Sequence, residues 1–181
     1  MMTITIFNQI TAIFLLLTLI SCTTGSIPVK SNGGDNLQQA YQLMSENKSL
    51  EAQKLIGDIL AMAEQSGDGL MVAKTYAVYG DLYKLGKTQG SLILPDFKKA
   101  ALSYQQAAKN YHVAGYFITE SMLLWTSGVM HSNAGDKDLA CDDFADALQA
   151  FRLDSIDKNN IKSAEVLPER VKTEQKRVGC I

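Results

Sequence analysis

Excess positive charge is missing from this chain. Lys and Arg number 17 against 19 Asp and Glu, for a formal net charge of −2. With a sequence pI near 5.7 and no long basic run, nucleic acid is excluded as the main partner. Catalytic signatures are missing too. There is no Gly-rich phosphate loop, no Gly-x-Ser-x-Gly elbow and no His-Glu-x-x-His helix. The two histidines, His112 and His131, stand apart, with no second His or Cys at ligand spacing. Asp136-Lys137-Asp138 followed by Asp142-Asp143 lacks the spacing, loop glycine and terminal glutamate of an EF-hand, and reads as a solvated acidic face. We therefore expect a non-enzymatic protein with no metal and no cofactor. Proline is scarce, at 3 residues, while Ala, Leu, Gln, Lys and Glu abound, and this composition favours an all-α fold.

What is there begins with an apolar run. Residues 1–21 carry no Asp, Glu, Lys or Arg, and Ile10 to Ile20 is almost wholly apolar. That run suits a secretory signal core better than a membrane span, which needs about 20 apolar residues. An uncleaved anchor helix is the alternative. Residues 23–35 are rich in Thr, Gly, Ser, Pro and Asn, and read as a flexible tether.

From Asn36 the pattern turns helical. Leu37, Ala40, Tyr41 and Met44 follow i, i+3, i+4, i+7, with Asp35 or Asn36 as the cap. Asn47 interrupts, Ser49 can cap again, and a stripe from Ala52 through Leu55, Ile56, Ile59 and Ala63 predicts a helix to about Gln65. Further helices are expected over Leu70–Leu85, Asp96 to about His112, Ala114–Asn133, Lys137 to about Phe151, and Glu169–Arg177 after Pro168. The segment Lys87 to Pro95 is about eight residues longer than the matching turns. Its Leu92, Ile93 and Leu94 either fold back on the core or offer an apolar contact.

Two stretches share an order. Tyr76, Tyr79, Gly80, Tyr83 precede Ala100, Tyr104, Ala107; Leu124, Ser127, Gly128, His131 precede Ala140, Phe144, Ala147. A small residue on each helix lets a pair cross closely, and the aromatic fills the space between. Ala52, Ile56 and Ile59 suggest a degenerate first copy. This pattern resembles the tetratricopeptide (TPR) repeat over about Asn36 to Phe151. The interval between Ala52, Ala100 and Ala140 is 48 and then 40 residues, longer than the roughly 34 of uniform TPR arrays. The resemblance implies antiparallel helix pairs in a short right-handed superhelical bundle. It also implies a partner-binding groove lined by the first helix of each pair: Tyr41, Met44, Lys74, Ala77, Asp81, Lys84, Met122, Trp125 and Val129. Trp125, the only tryptophan, is either a binding hot spot there or ordinary core.

Leu19-Ile20-Ser21-Cys22 is similar to the bacterial lipobox. The resemblance implies cleavage before Cys22 and acylation of that cysteine. With Thr23 and Thr24 next and no Asp at either place, it implies sorting to the periplasmic face of the outer membrane. Cys141 and Cys180 remain, either as a disulfide tying the C-terminal end to the sixth helix or as unpaired thiols. The division expected is a signal peptide over 1–21, a tether over 22–35, a helical domain over 36–153 and a capping segment over 154–181. The function expected is lipid-anchored binding of another envelope protein or peptide, in assembly of a secretion, pilus or outer-membrane complex. The alternative is an immunity lipoprotein against a toxin active in the periplasm.

Overall fold

Aspartates open helices here and glycines close them. Asp68 accepts from the Met71 amide and Asp96 from the Lys99 amide, at 2.9 and 3.0 Å, each filling a first-turn donor that a helix leaves open. Gly67 and Gly86, at φ +72° and +62°, close the preceding helices in the left-handed region that side chains disfavour. In a computed structural model, which describes residues 33–86, 95–154 and 167–181, seven helices result. They are α1 (Gly33–Ser45), α2 (Ser49–Ser66), α3 (Gly69–Leu85), α4 (Phe97–Val113), α5 (Phe117–Asn133), α6 (Lys137–Asp154) and α7 (Leu167–Val178). The described residues are all-α, with no strand among them. None of these helices is long and apolar enough to cross a membrane.

Several boundaries differ from expectation. The tether does not run to residue 35, because α1 already begins at Gly33, with Asp35 in the first turn where a carboxylate suits the helix dipole. α5 starts at Phe117 rather than Ala114, since Gly115 at φ +78° breaks the path out of α4. Ser49 is the first residue of α2 rather than its cap; Lys48 holds that position. The signal segment 1–21, Cys22, the tether up to residue 32 and the apolar Leu92-Ile93-Leu94 lie outside the described residues.

Short turns make consecutive helices antiparallel neighbours. Each helix packs on the next, α1 also packs on α3, and α5 on α7. On the other side, Lys98 of α4 reaches Asp136 at the head of α6, 3.1 Å away. The core is correspondingly strung out. One cluster joins α1, α2 and α3 through Leu37, Ala40, Leu55, Ile56, Ile59 and Val78. A second centres on Ala101, Tyr104 and Met130, and a third on Phe144, Ala147, Leu167 and Val171, with Val129 packing against both. Such nearest-neighbour packing is what a helical repeat produces.

The close crossings are real. A Cβ on Gly80 would lie 2.5 Å from Cε1 of Tyr104, and one on Gly128 2.6 Å from Cε1 of Phe144. In α1 and α2, Ala40 and Ile56 are fully buried in one core cluster. α7 caps the end by burying Leu167 and Val171, and Cys180 just beyond it is disulfide-bonded to Cys141 on α6, with Cα atoms 5.5 Å apart. Its Lys172 and Arg177 pair with Glu169 and Glu174 within the helix, Arg177 also donates to Ser132 Oγ of α5 at 3.2 Å, and the helix docks through its apolar contacts.

Gly80→Ala or Gly128→Ala should destabilise the protein by about 1–3 kcal/mol through overpacking. Gly69→Ala, with nothing within 4 Å of its Cβ, should stay within about 0.5 kcal/mol of the parent. Urea unfolding followed by circular dichroism checks both.

Candidate interaction surface

Three of the nine groove residues meet at one point. Tyr41 from α1 donates its hydroxyl to Asp81 Oδ2 at 2.8 Å. Lys84, one turn along α3, donates to Asp81 Oδ1 at 2.8 Å. Tyr104 of α4 completes the cluster, its hydroxyl donating to the same Oδ1 at 2.7 Å. The Lys84 ammonium also stands 5.8 Å from the centre of the Tyr104 ring, within cation–π range.

The electrostatics follow from the bonds. Partial burial pushes the Asp81 carboxyl up, but hydrogen bonds from Lys84, Tyr104 and Tyr41, with the charge of Lys84, overcome it and hold the group below the ordinary carboxylate range. Burial and then the charge and bonds of Asp81 push the Tyr41 and Tyr104 hydroxyls above the ordinary phenol value. At neutral pH the site is therefore a fixed carboxylate held by three donors. Tyr41 keeps 45% of its surface exposed, so one side of the cluster faces solvent.

The remaining groove residues scatter. Lys74 is exposed, Ala77 half-buried and Met122 exposed. Met44 is 5% exposed and belongs to the first core cluster, because the helix turns it toward α2 and α3. Val129 packs between the second and third clusters. Trp125 packs against the third cluster beside α7, and its buried Nε1 meets no acceptor among the described residues. A shallow notch of about 240 Å³ separates it from Glu169, Arg170, Thr173 and Glu174. Of the groove expected, the Tyr41–Asp81–Lys84 part is accessible, while Met44 and Val129 are packing residues.

Tyr104 was readable only as a core filler. Its signal was the hydroxyl itself: the matching slot of the second pair holds Phe144, and a buried Tyr requires a partner for its oxygen.

A second polar cluster lies inside the array. Asp143 of α6, 3% exposed, accepts from Gln105 Nε2 of α4 at 2.7 Å and from Ser127 Oγ of α5 at 2.6 Å. Ser127 Oγ is also 3.1 Å from the Ala101 carbonyl. His131 is buried as well, its Nε2 standing 3.5 Å from Gln105 Nε2 and 3.8 Å from Asp143 Oδ2. Although Ser, His and Asp are all present, the serine's partner is the carboxylate and not the imidazole, and all three are walled off from solvent. The arrangement clamps three helices together and lacks the hydroxyl–imidazole contact of a nucleophile relay. Among the described residues, no three His, Cys, Asp or Glu side chains gather as a metal site would require.

The chain matches no protein-family model, no curated protein and no solved structure.

The two carboxylates predict opposite pH behaviour. Burial pushes Asp143 up despite its hydrogen bonds, so the native state loses stability as pH rises past the ordinary carboxylate range. Asp143→Asn removes that loss. Its amide can also donate to Ser127, freeing the single serine hydrogen for Ala101. This variant should be more stable than the parent at pH 7. Asp81 is held low, so its contribution is present at neutral pH and lost as pH falls through the folded value. Asp81→Asn should be less stable than the parent at pH 7, and both differences should shrink toward pH 3. Ser127→Ala, which strands buried acceptors, should cost about 1–3 kcal/mol. Urea midpoints across pH test all three.

Proposed function

We propose that the chain is a non-enzymatic, lipid-anchored adaptor of TPR-like architecture. It binds another envelope protein or peptide and assists the assembly or stability of a secretion, pilus or outer-membrane complex. The observation that carries this reading is the Tyr41–Asp81–Lys84–Tyr104 cluster, where α1, α3 and α4 together present a prearranged, partly exposed set of hydrogen-bonding groups. Prearrangement lowers the ordering cost that a partner peptide would otherwise meet on docking. The repeated glycine-on-aromatic crossing supports the TPR-like architecture. The Cys141–Cys180 bond suits an oxidising compartment such as the periplasm. Cys22, directly after the apolar run, supplies the acylation point, and two or more chains on it give stable anchoring.

Two measurements test the reading separately. Cys22→Ser should abolish incorporation of labelled palmitate and shift the protein from the membrane to the soluble fraction; unlabelled parent protein would remove the anchor. Tyr41→Ala with Lys84→Glu, folded by circular dichroism, should weaken binding to the envelope partner captured by cross-linking about tenfold or more. Undiminished capture would place the binding surface elsewhere.

A further inference from the structure

The last helix is fastened at its two ends and poorly fitted between them. At its start, Leu167 and Val171 are buried in one cluster with Phe144 and Ala147 of α6. At its end, Gly179 takes φ +82° and the Cys180 amide donates to the Gln175 carbonyl at 2.8 Å. That turn leaves Cys180 bonded to Cys141 in the first turns of α6, and Arg177 donates to Ser132 Oγ of α5 nearby. Midway along α7 the contact is incomplete. The notch of about 240 Å³ lies between Trp125 and the row Glu169, Arg170, Thr173 and Glu174. Trp125 Nε1 is buried there without an acceptor among the described residues. An unmatched buried donor is unfavourable, and water would satisfy it if α7 moved away.

For an element that closes an array, α7 is lightly held. It buries Leu167, Val171 and the polar Gln175, whereas α2 buries Ala52, Leu55, Ile56, Ile59 and Ala63. An element with few buried apolar contacts opens locally, without unfolding the rest. Its packing is on α6 and, less, on α5, so the consequences of opening stay at that end. The disulfide joins residues 39 apart in the chain and supplies the hold that packing lacks. Neither cysteine is sealed in the core, since Cys141 and Cys180 are both half-buried.

We propose that the Cys141–Cys180 bond is a reducible latch: oxidised, it keeps α7 closed over the Trp125 side of α5 and α6, and reduced, it lets α7 lift and uncover that side. The device goes beyond the adaptor reading and needs no lipid anchor. The reductant is a dithiol. One of its thiolates attacks a sulfur of the bond, forming a mixed disulfide and releasing the other cysteine, which takes up a proton. Its second thiolate then displaces the protein sulfur. Two electrons pass to the protein, which gains two thiols, and the reductant leaves as its own disulfide. Opening exposes Trp125 and the α6 face around Phe144, which Leu167 and Val171 cover in the closed form.

The test treats the full chain with dithiothreitol in native buffer. Free-thiol titration follows the bond, acrylamide quenching follows Trp125, the only tryptophan, and amide exchange read by mass spectrometry follows each helix. The latch requires that the bond reduce without denaturant. Quenching of Trp125 and exchange in α7 should then rise several-fold while α2 and α3 keep their protection, and glutathione disulfide should reverse both changes. Cys141→Ser with Cys180→Ser should match the reduced parent and ignore dithiothreitol. A bond that yields only in urea overturns the proposal. So does a reduced protein whose Trp125 and α7 are as protected as before, which would make the bond a static brace. Loss of protection throughout the array also overturns it, because the bond would then hold the whole fold.

Discussion

An aromatic ring laid directly on a glycine backbone sets the spacing of this array. Gly80 under Tyr104 and Gly128 under Phe144 leave no room for even one methyl group. That absence lets each pair of helices approach closely enough for the ring to fill the crossing. Much else follows from it. The Tyr104 ring is aimed along the crossing so that its hydroxyl emerges at Asp81, and Phe144 sits where α7 can close over it with Leu167 and Val171. The surface cluster and the capped end are both consequences of where the rings lie.

Two buried or half-buried aspartates show how position decides the role of one residue type. Asp81 is surrounded by donors, one of them charged, and remains a carboxylate at a partly open surface. Asp143 is held by Gln105 and Ser127, with His131 3.8 Å away, deep between α4, α5 and α6, where burial outweighs these interactions. The first stands beside the exposed Tyr41 ring, at the surface. The second ties layers together, at a cost that the packed helices around it must offset.

Much of this was legible in the chain. The helices announced themselves through Ser-Gly-Asp-Gly at 66–69, Pro95-Asp96 and Ala134-Gly135-Asp136, and the crossings through small residues matched to aromatics. Local signals failed where distance along the chain was large. Asp81 meets Tyr41 and Tyr104 at separations of 40 and 23 residues, and Ser127 meets Asp143 at 16, so no periodic pattern reveals them. Met44 and Val129 satisfy the groove spacing, yet Met44 is buried in the first core cluster and Val129 is half-buried against the other two. The Ala114 boundary failed for a smaller reason: one left-handed glycine moved the start of α5 by three residues.

If the ring-on-glycine crossing organises the fold, its two partners must be energetically coupled. A double-mutant cycle between Gly128→Ala and Phe144→Leu measures that coupling, with Gly80→Ala against Phe144→Leu as the distant control. The account predicts that shortening Phe144 relieves most of the loss caused by Gly128→Ala, while the control pair adds independently. Losses at Gly128 and Phe144 that simply sum would contradict it.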